Sequence, residues 1–299
     1  MLIGVDAGGP FAAVAGDRGF ESSAVAAAVA PSAARAEIAD WTRERLPAWN
    51  REELGELHAA ELDWPQPVEV CALLGGRGDV HARVIVTSDL LLRGSGPVEA
   101  HRERQLHRAQ EAFATATTND GRMRGERACR LLAGDRVGRS RLSLRDYVLA
   151  TMIPMAVVGA AQQAICFFAD DEWRPEMEAF ELVIDEETPA AARYVVASLL
   201  PTIGGDDRFE FVFPDHWRHP PLHPMLAHAT HRDGDGMAPQ KMLGNEPRWG
   251  RSHDEPAIQV ADVAAWIVSR AITTPEIPSG AGVFRTASSR ARRRQRPLL

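Results

Sequence analysis

Between Asp254 and Arg270 the chain runs Asp-Glu-Pro-Ala-Ile-Gln-Val-Ala-Asp-Val-Ala-Ala-Trp-Ile-Val-Ser-Arg. No other stretch constrains the fold as strongly. Asp254 and Glu255 suit a helix N-terminus, where carboxylates meet unpaired N–H groups and the positive end of the dipole. Pro256 fits the first turn, which needs no amide donor. The body is Val, Ile, Ala and Trp, apolar almost all round, and such a helix belongs inside a core. Gln259 and Asp262 interrupt it three residues apart, on one side. Taken alone, the stripe Gln259, Asp262, Trp266, Ser269 and Arg270 reads most simply as the solvated face of an amphipathic helix. If it is buried instead, its carboxylate needs a cation, a metal or water beside it.

The chain has 299 residues, enough for one large domain or two. No uninterrupted apolar run long enough to span a bilayer stands out, so no membrane partner is expected. Met1-Leu2-Ile3-Gly4-Val5-Asp6 lacks a basic region and is not expected to be a secretory signal. Cys71, Cys129 and Cys166 are scattered and odd in number, which suits reduced thiols and a cytoplasmic location. A net charge of −7 argues against a generally basic nucleic-acid binder. Lys241 is the sole lysine, so the positive charge is nearly all arginine. Codon bias accounts for that more simply than phosphate binding does.

Leu2–Val5 reads as a strand that ends at Asp6 and a glycine turn. Phe11–Ala15 and Ser23–Ala30 read as two more, giving an antiparallel opening meander. A helix follows over Ala33–Leu46, a helical piece over Glu52–Leu62, and a strand over Val80–Thr87. Val68–Leu74 is ambiguous. Pro97 to about Thr117 is a charged helix. Gly121–Gly138 is Arg-rich, either a loop or a short helix. Leu142–Ala164 is a long buried helix with Pro154 as a kink. Strands are expected at Ile165–Ala169, Phe180–Ile184 and Phe209–Phe213, and a helix capped by Thr188 over Pro189–Leu200. From Asp215 to about Ser252, Pro, Gly and His are too dense for regular structure. The organisation expected is one domain over residues 1–272, a large insertion around 215–252 before the last helix, and a disordered basic tail over 273–299.

Three acids fall at informative places: Asp6 after the first strand, Asp185 after a later one, and Asp262 on the late helix. For any one of them a turn or capping role is the simpler reading. Together they suit a hard divalent cation, which takes carboxylate oxygens and leaves room for phosphate and water. Asp89 and Asp170 compete with Asp185 for the third place.

In its Asp6-Ala7 after the first strand and its Gln259-Val260-Ala261-Asp262 on a late helix, with Ser252 upstream, the chain resembles the bacterial, archaeal and viral family named domain of unknown function 3800. Glu56-Leu57-His58 stands where similar proteins carry a Glu-x-His-like element. The resemblance spans roughly residues 1–272. It implies an α/β, RNase H-like architecture, with a mixed sheet and flanking helices. It also implies metal binding at Asp6 and Asp262 and a Mg²⁺- or Mn²⁺-dependent nuclease, with nucleic acid as the partner. Asp185 is added here as a third ligand, and Gln259 as the group that orients a ligand or water. The family's first motif is Asp-Glu, and here it is Asp6-Ala7. That departure keeps open a catalytically degenerate binding or scaffold protein, in a defence or mobile-element system.

His216, His219, His223, His228 and His231 crowd one stretch. Zinc there stands second to a surface loop open to a protein partner, because the interspersed prolines leave the spacing uninformative. Arg122–Arg145 and Arg290–Arg296 could hold phosphates, although the second reads more simply as a solvated end. Gly75-Gly76-Arg77-Gly78 lacks the Lys-Ser/Thr of a phosphate-binding loop, so no nucleotide cofactor is expected. Oligomeric state is not legible.

Overall fold

The computed structural model describes residues 1–8, 23–45, 81–86, 95–114, 119–167, 180–200 and 247–273, with single positions 59, 69 and 176. It is a mixed α/β protein. In chain order the elements are β1 (Leu2–Gly8), β2 (Ala24–Ala30), α1 (Ala34–Arg45), β3 (His81–Val86), α2 (Ser95–Ala114), α3 (Asn119–Leu132), β4 (Arg136–Val137), β5 (Ser140–Arg141), α4 (Leu144–Phe167), β6 (Glu181–Asp185), α5 (Ala190–Leu199), β7 (Arg248–Gly250) and α6 (Pro256–Thr273). A 3₁₀ turn, Ser252–Asp254, leads into α6.

Five strands form one sheet in the order β3-β2-β1-β6-β7. β1 is antiparallel to β2, and β2 to β3. β6 runs parallel to β1, and β7 parallel to β6. β1 is therefore central, and its register with β2 runs unbroken from Leu2↔Ala30 to Gly8↔Ala24. With no bulge, successive side chains alternate strictly between the two faces.

The odd face of β1 and β2 carries Ile3, Val5, Val25, Ala27 and Val29, which pack with α3, α4 and α5. Each fully buried Val or Ile there contributes about 1.5–3 kcal/mol. The even face carries Ala24, Ala26, Ala28 and Ala30, which meet α6 together with Ile38 of α1. Alanine is a weak strand former, yet β2 is wholly buried. Its small side chains let a helix lie close on that face.

Helix α4 is, among the described residues, the one helix long and apolar enough to cross a bilayer. Sequence reading did not single it out as such. Here it packs across β1, β2 and β3. Tyr147 of α4 is fully buried, with its hydroxyl 2.6 Å from His101 Nδ1 of α2. Burial pushes the Tyr147 hydroxyl up, against the smaller opposite pull of Arg102 and Arg104.

Several expectations need correction. The first strand does not stop at Asp6 but continues through it to Gly8, since the partner β2 supplies hydrogen bonds along its whole length. The antiparallel trio is β1, β2 and β3, with α1 inserted before the third strand. Phe11–Ala15, the expected middle strand, lies outside the described residues. Ile165–Phe167 is the end of α4, not a strand. An apolar run after a buried helix simply prolonged it. Thr188 does not cap α5: Pro189 is its N-cap, without a side-chain bond. The Thr188 N–H instead bonds the Asp185 carbonyl at 3.2 Å. The Arg-rich stretch after Gly121 is helical through Leu132, followed by a two-stranded hairpin. β7 and the 3₁₀ turn arise where irregular chain was expected. The stretches Glu52–Leu62, Val68–Leu74 and Phe209–Phe213 lie outside the described residues, apart from positions 59 and 69.

Candidate functional site

Gly4, Asp6 and Gly8 share the even face of β1, under α6. A Cβ added at Gly4 would run into the main chain and Cβ of Ala257. One at Gly8 would stand 3.6 Å from the Trp266 nitrogen and 3.8 Å from Ala265. Strand and helix therefore advance in the same direction. From Gly4 to Gly8 the strand rises about 13 Å, and from Ala257 to Ala265 the helix rises about 12 Å. Asp6, midway along the strand, falls opposite the middle of that helical span, where Ala261 and Asp262 lie. Glycine is required at position 4 because the Ala257 main chain and Cβ lie against the strand there.

The β1–β6 register ends at Val5↔Ile184. Continued one step, that register sets Asp6, within β1, beside Asp185, the last residue of β6. Neighbouring strands are about 4.8 Å apart. Asp185 has the parity of Val183, which packs with Ala257 and Ile258 of α6. The three expected acids thus lie on one side of the sheet, within range of one another's charge.

Their electrostatics agree with that placement. Asp6 is partly buried, and its carboxyl is raised well above the usual range. Burial is the largest cause, followed by the charges of Asp262 and Asp185, with Glu187 adding less. The Ala7 N–H, 2.6 Å from Asp6 Oδ1, works in the other direction. Asp185 is raised too, first by burial and then by Glu187, Asp262 and Glu186. The Glu187 N–H opposes this, donating to Asp185 Oδ1 at 3.2 Å. Every charge that moves either group is negative.

Asp262 is 7% exposed, and its Oδ2 accepts the Ala59 N–H at 2.6 Å. Gln259 is 4% exposed, and its Nε2 donates to the Ser252 carbonyl at 2.9 Å. Ser269 is buried as well. The stripe that looked like a solvated face is therefore largely covered. Ile38 of α1 and Ala59 lie in the same cluster as α6, and these supply the cover.

Glu187 is the carboxylate that sequence reasoning missed. It stands exposed two residues past Asp185 and adds to the charge on both Asp6 and Asp185. The signal was present in the run Asp185-Glu186-Glu187 but read as a strand end. Asp89, Asp170, Glu56-Leu57-His58, the five clustered histidines and Arg290–Arg296 lie outside the described residues. Among the described residues, no three His, Cys, Asp or Glu side chains already stand close enough together to form a metal-ligand set. Comparison with family models, curated proteins and solved structures gave no match to this chain.

At the other end of α6 lies a different kind of carboxylate. Glu255 is almost wholly buried. Its Oε1 accepts from Arg35 Nη2 of α1 at 2.6 Å and also from Arg248 Nη2 of β7. Arg248 further bonds Glu181 Oε1 at 2.9 Å. Glu255 Oε2 is buried with no hydrogen-bond partner among the described residues. This cluster ties α1, β6 and β7 to the start of α6.

Proposed function

We propose that the chain is a divalent-metal-dependent phosphodiesterase acting on nucleic acid, built on an RNase H-like sheet. One observation carries this reading: Asp6 and Asp185, side by side under α6, are held above the normal carboxylate range by burial and by one another's neighbours, Asp262 included. Carboxylates that repel each other in a half-buried place are stabilised by a shared cation. The strand plan supports the fold assignment. An antiparallel trio with its first strand central, extended by two strands parallel to it, is what an RNase H-like sheet requires.

Mg²⁺ or Mn²⁺ fits these residues, because an all-oxygen set of carboxylates is the ligand type hard cations take. Asp6, Asp185 and Asp262 would hold it, with Glu187 beside them. A bound cation supplies Lewis acidity toward a phosphate oxygen and makes hydroxide available near neutral pH. The chain's own contribution is positional. Gly4 brings the start of α6 down onto β1, and the charge of Asp262 acts on Asp6. Gln259 acts through the Ser252 turn, fixing the entry of α6, and is a positioning residue in this reading. Burial keeps water from screening the carboxylates.

A second reading has specific support. Ala7 stands where the resembled family has Glu, and Asp262 already holds the Ala59 N–H. A scaffold that keeps the fold without the chemistry accounts for both. Titration calorimetry with Mn²⁺ separates the two readings. The nuclease predicts binding that is lost in Asp6→Asn, and Mn²⁺-stimulated cleavage of DNA, RNA or a hybrid that falls by about a thousandfold or more. A chain that binds no Mn²⁺ and cleaves nothing sinks the enzyme reading and leaves the scaffold.

A further inference from the structure

The hairpin β4–β5 and the neighbouring helix α3 lie on the odd side of the sheet, away from α6, and carry an unusual charge pattern. Arg136 and Arg141 are direct partners in the hairpin register. Like charges facing each other across an antiparallel pair destabilise it. Arg139 stands at the tip beside Gly138, whose φ of 60° reverses the chain. Arg130 of α3 reaches the hairpin, donating from Nη2 to the Arg136 carbonyl at 3.1 Å. Arg122 and Arg127 continue along the same helix.

All six arginines are exposed. Among the described residues none of the six forms an ion pair. Helix α2 next door behaves otherwise: Arg102 pairs with Glu99 and His107 with Glu111. Residues 122–141 hold seven arginines against Glu126 and Asp135, in a chain whose net charge is −7. A concentrated positive field on an acidic protein, with two guanidiniums opposed across a two-rung ladder, is complementary to a polyanion.

We propose that the β4–β5 hairpin and the adjoining side of α3 dock the phosphate backbone of nucleic acid. This deepens the nuclease reading by naming a surface, on the other side of the sheet from the acids, that would hold a flanking stretch of the substrate, and it rests on that reading for the choice of nucleic acid. Guanidinium forks engage phosphate oxygens in pairs. A bilayer surface is a poorer fit. Met123 is the one large apolar side chain exposed there, at 54%, and it offers little to insert into lipid.

The test measures binding of a short labelled DNA duplex, and of its single strand, to the full chain across a salt series in EDTA. The triple substitution Arg136→Gln, Arg139→Gln, Arg141→Gln is expected to weaken binding about tenfold near physiological salt. It should lower the slope of log affinity against log salt by about 2–3 for the duplex. The corresponding Arg→Lys triple should keep the slope, because the charges remain. Arg139→Gln alone, at the hairpin tip, should lower it by about 0.9, which keeps the test open should the triple fail to fold. Differences between variants are read, since the arginines at 290–296 contribute to every protein alike. Equal affinity and slope in parent and variants overturns the proposal. So does a parent that binds neither strand form at low salt, and so does competition by polyglutamate or phosphatidylserine vesicles as effective as unlabelled duplex. EDTA removes the metal from the experiment, so a failure of cleavage at Asp6 and a failure of docking at the hairpin are seen separately.

Discussion

Helix α6 meets two groups of charges about two turns apart, and they are handled in opposite ways. At its start, Glu255 is buried against the guanidiniums of Arg35 and Arg248. At its middle, Asp262 lies near Asp6 and Asp185, and the charges that shift those two groups are all acidic. The first arrangement neutralises a buried carboxylate and joins four elements. The second stores repulsion. A fold selected for stability alone would resolve the second group as it resolves the first. In the proposed reading, that retained repulsion is what a bound cation would relieve.

The contrast can be broken from either end. The largest effect is expected at the neutralised end. Replacing both Arg35 and Arg248 with Ala leaves Glu255 buried without its cations, and should destabilise the fold by about 3–5 kcal/mol in urea denaturation. A loss below about 1 kcal/mol would mean that the two ends are not so different.

Next in size is the seam between them. Gly4→Ala forces a Cβ into Ala257 backbone, and about 1–3 kcal/mol of destabilisation is expected. Gly8→Ala, where the new atom meets ordinary contact distances, should cost well under that. Equal costs would show that the helix does not seat on the strand as described.

The smallest effect is the most diagnostic. Asp6 and Asp185 hold their protons more tightly folded than unfolded. Such groups stabilise the fold fully below the ordinary value of 3.8. That contribution disappears as the pH rises through their raised folded values. Metal-free protein should therefore lose stability with rising pH over that window. Asp6→Asn should flatten the loss and stabilise the metal-free chain above it by on the order of 1 kcal/mol. Thermal melts with EDTA check this. A slope identical in parent and Asp6→Asn would remove the stored repulsion from the account.

The late helix was legible in the sequence because its apolar body and acidic, proline-marked start are local signals, whereas its close seat on the first strand at Gly4 was not read. Motif order pointed to Asp6 and Asp262, and a place after an apolar strand to Asp185; their charges act on one another, but among the described residues they form no metal-ligand set. What covers α6 was not legible. Gln259, Asp262 and Ser269 have the spacing of a solvated face, and only the packing of α1 and Ala59 against them reverses that reading. β7 escaped notice because Arg248-Trp249-Gly250 has three residues, too few to show alternation, inside a stretch rich in turn formers. Glu187 escaped because three consecutive acids look like a strand end. The opposed arginines of the hairpin depend on a register that composition cannot supply.

At Gly4 the strand offers no side chain, and its main chain rests on the main chain and Cβ of Ala257. The gap across that contact is set by atomic radii, not by any choice of rotamer. Substitutions deeper in the opposite core can loosen the molecule, but they have no lever on this gap. Damage elsewhere should therefore lower how much folded protein there is before it alters the spacing of Asp6 and Asp262 in the molecules that remain folded.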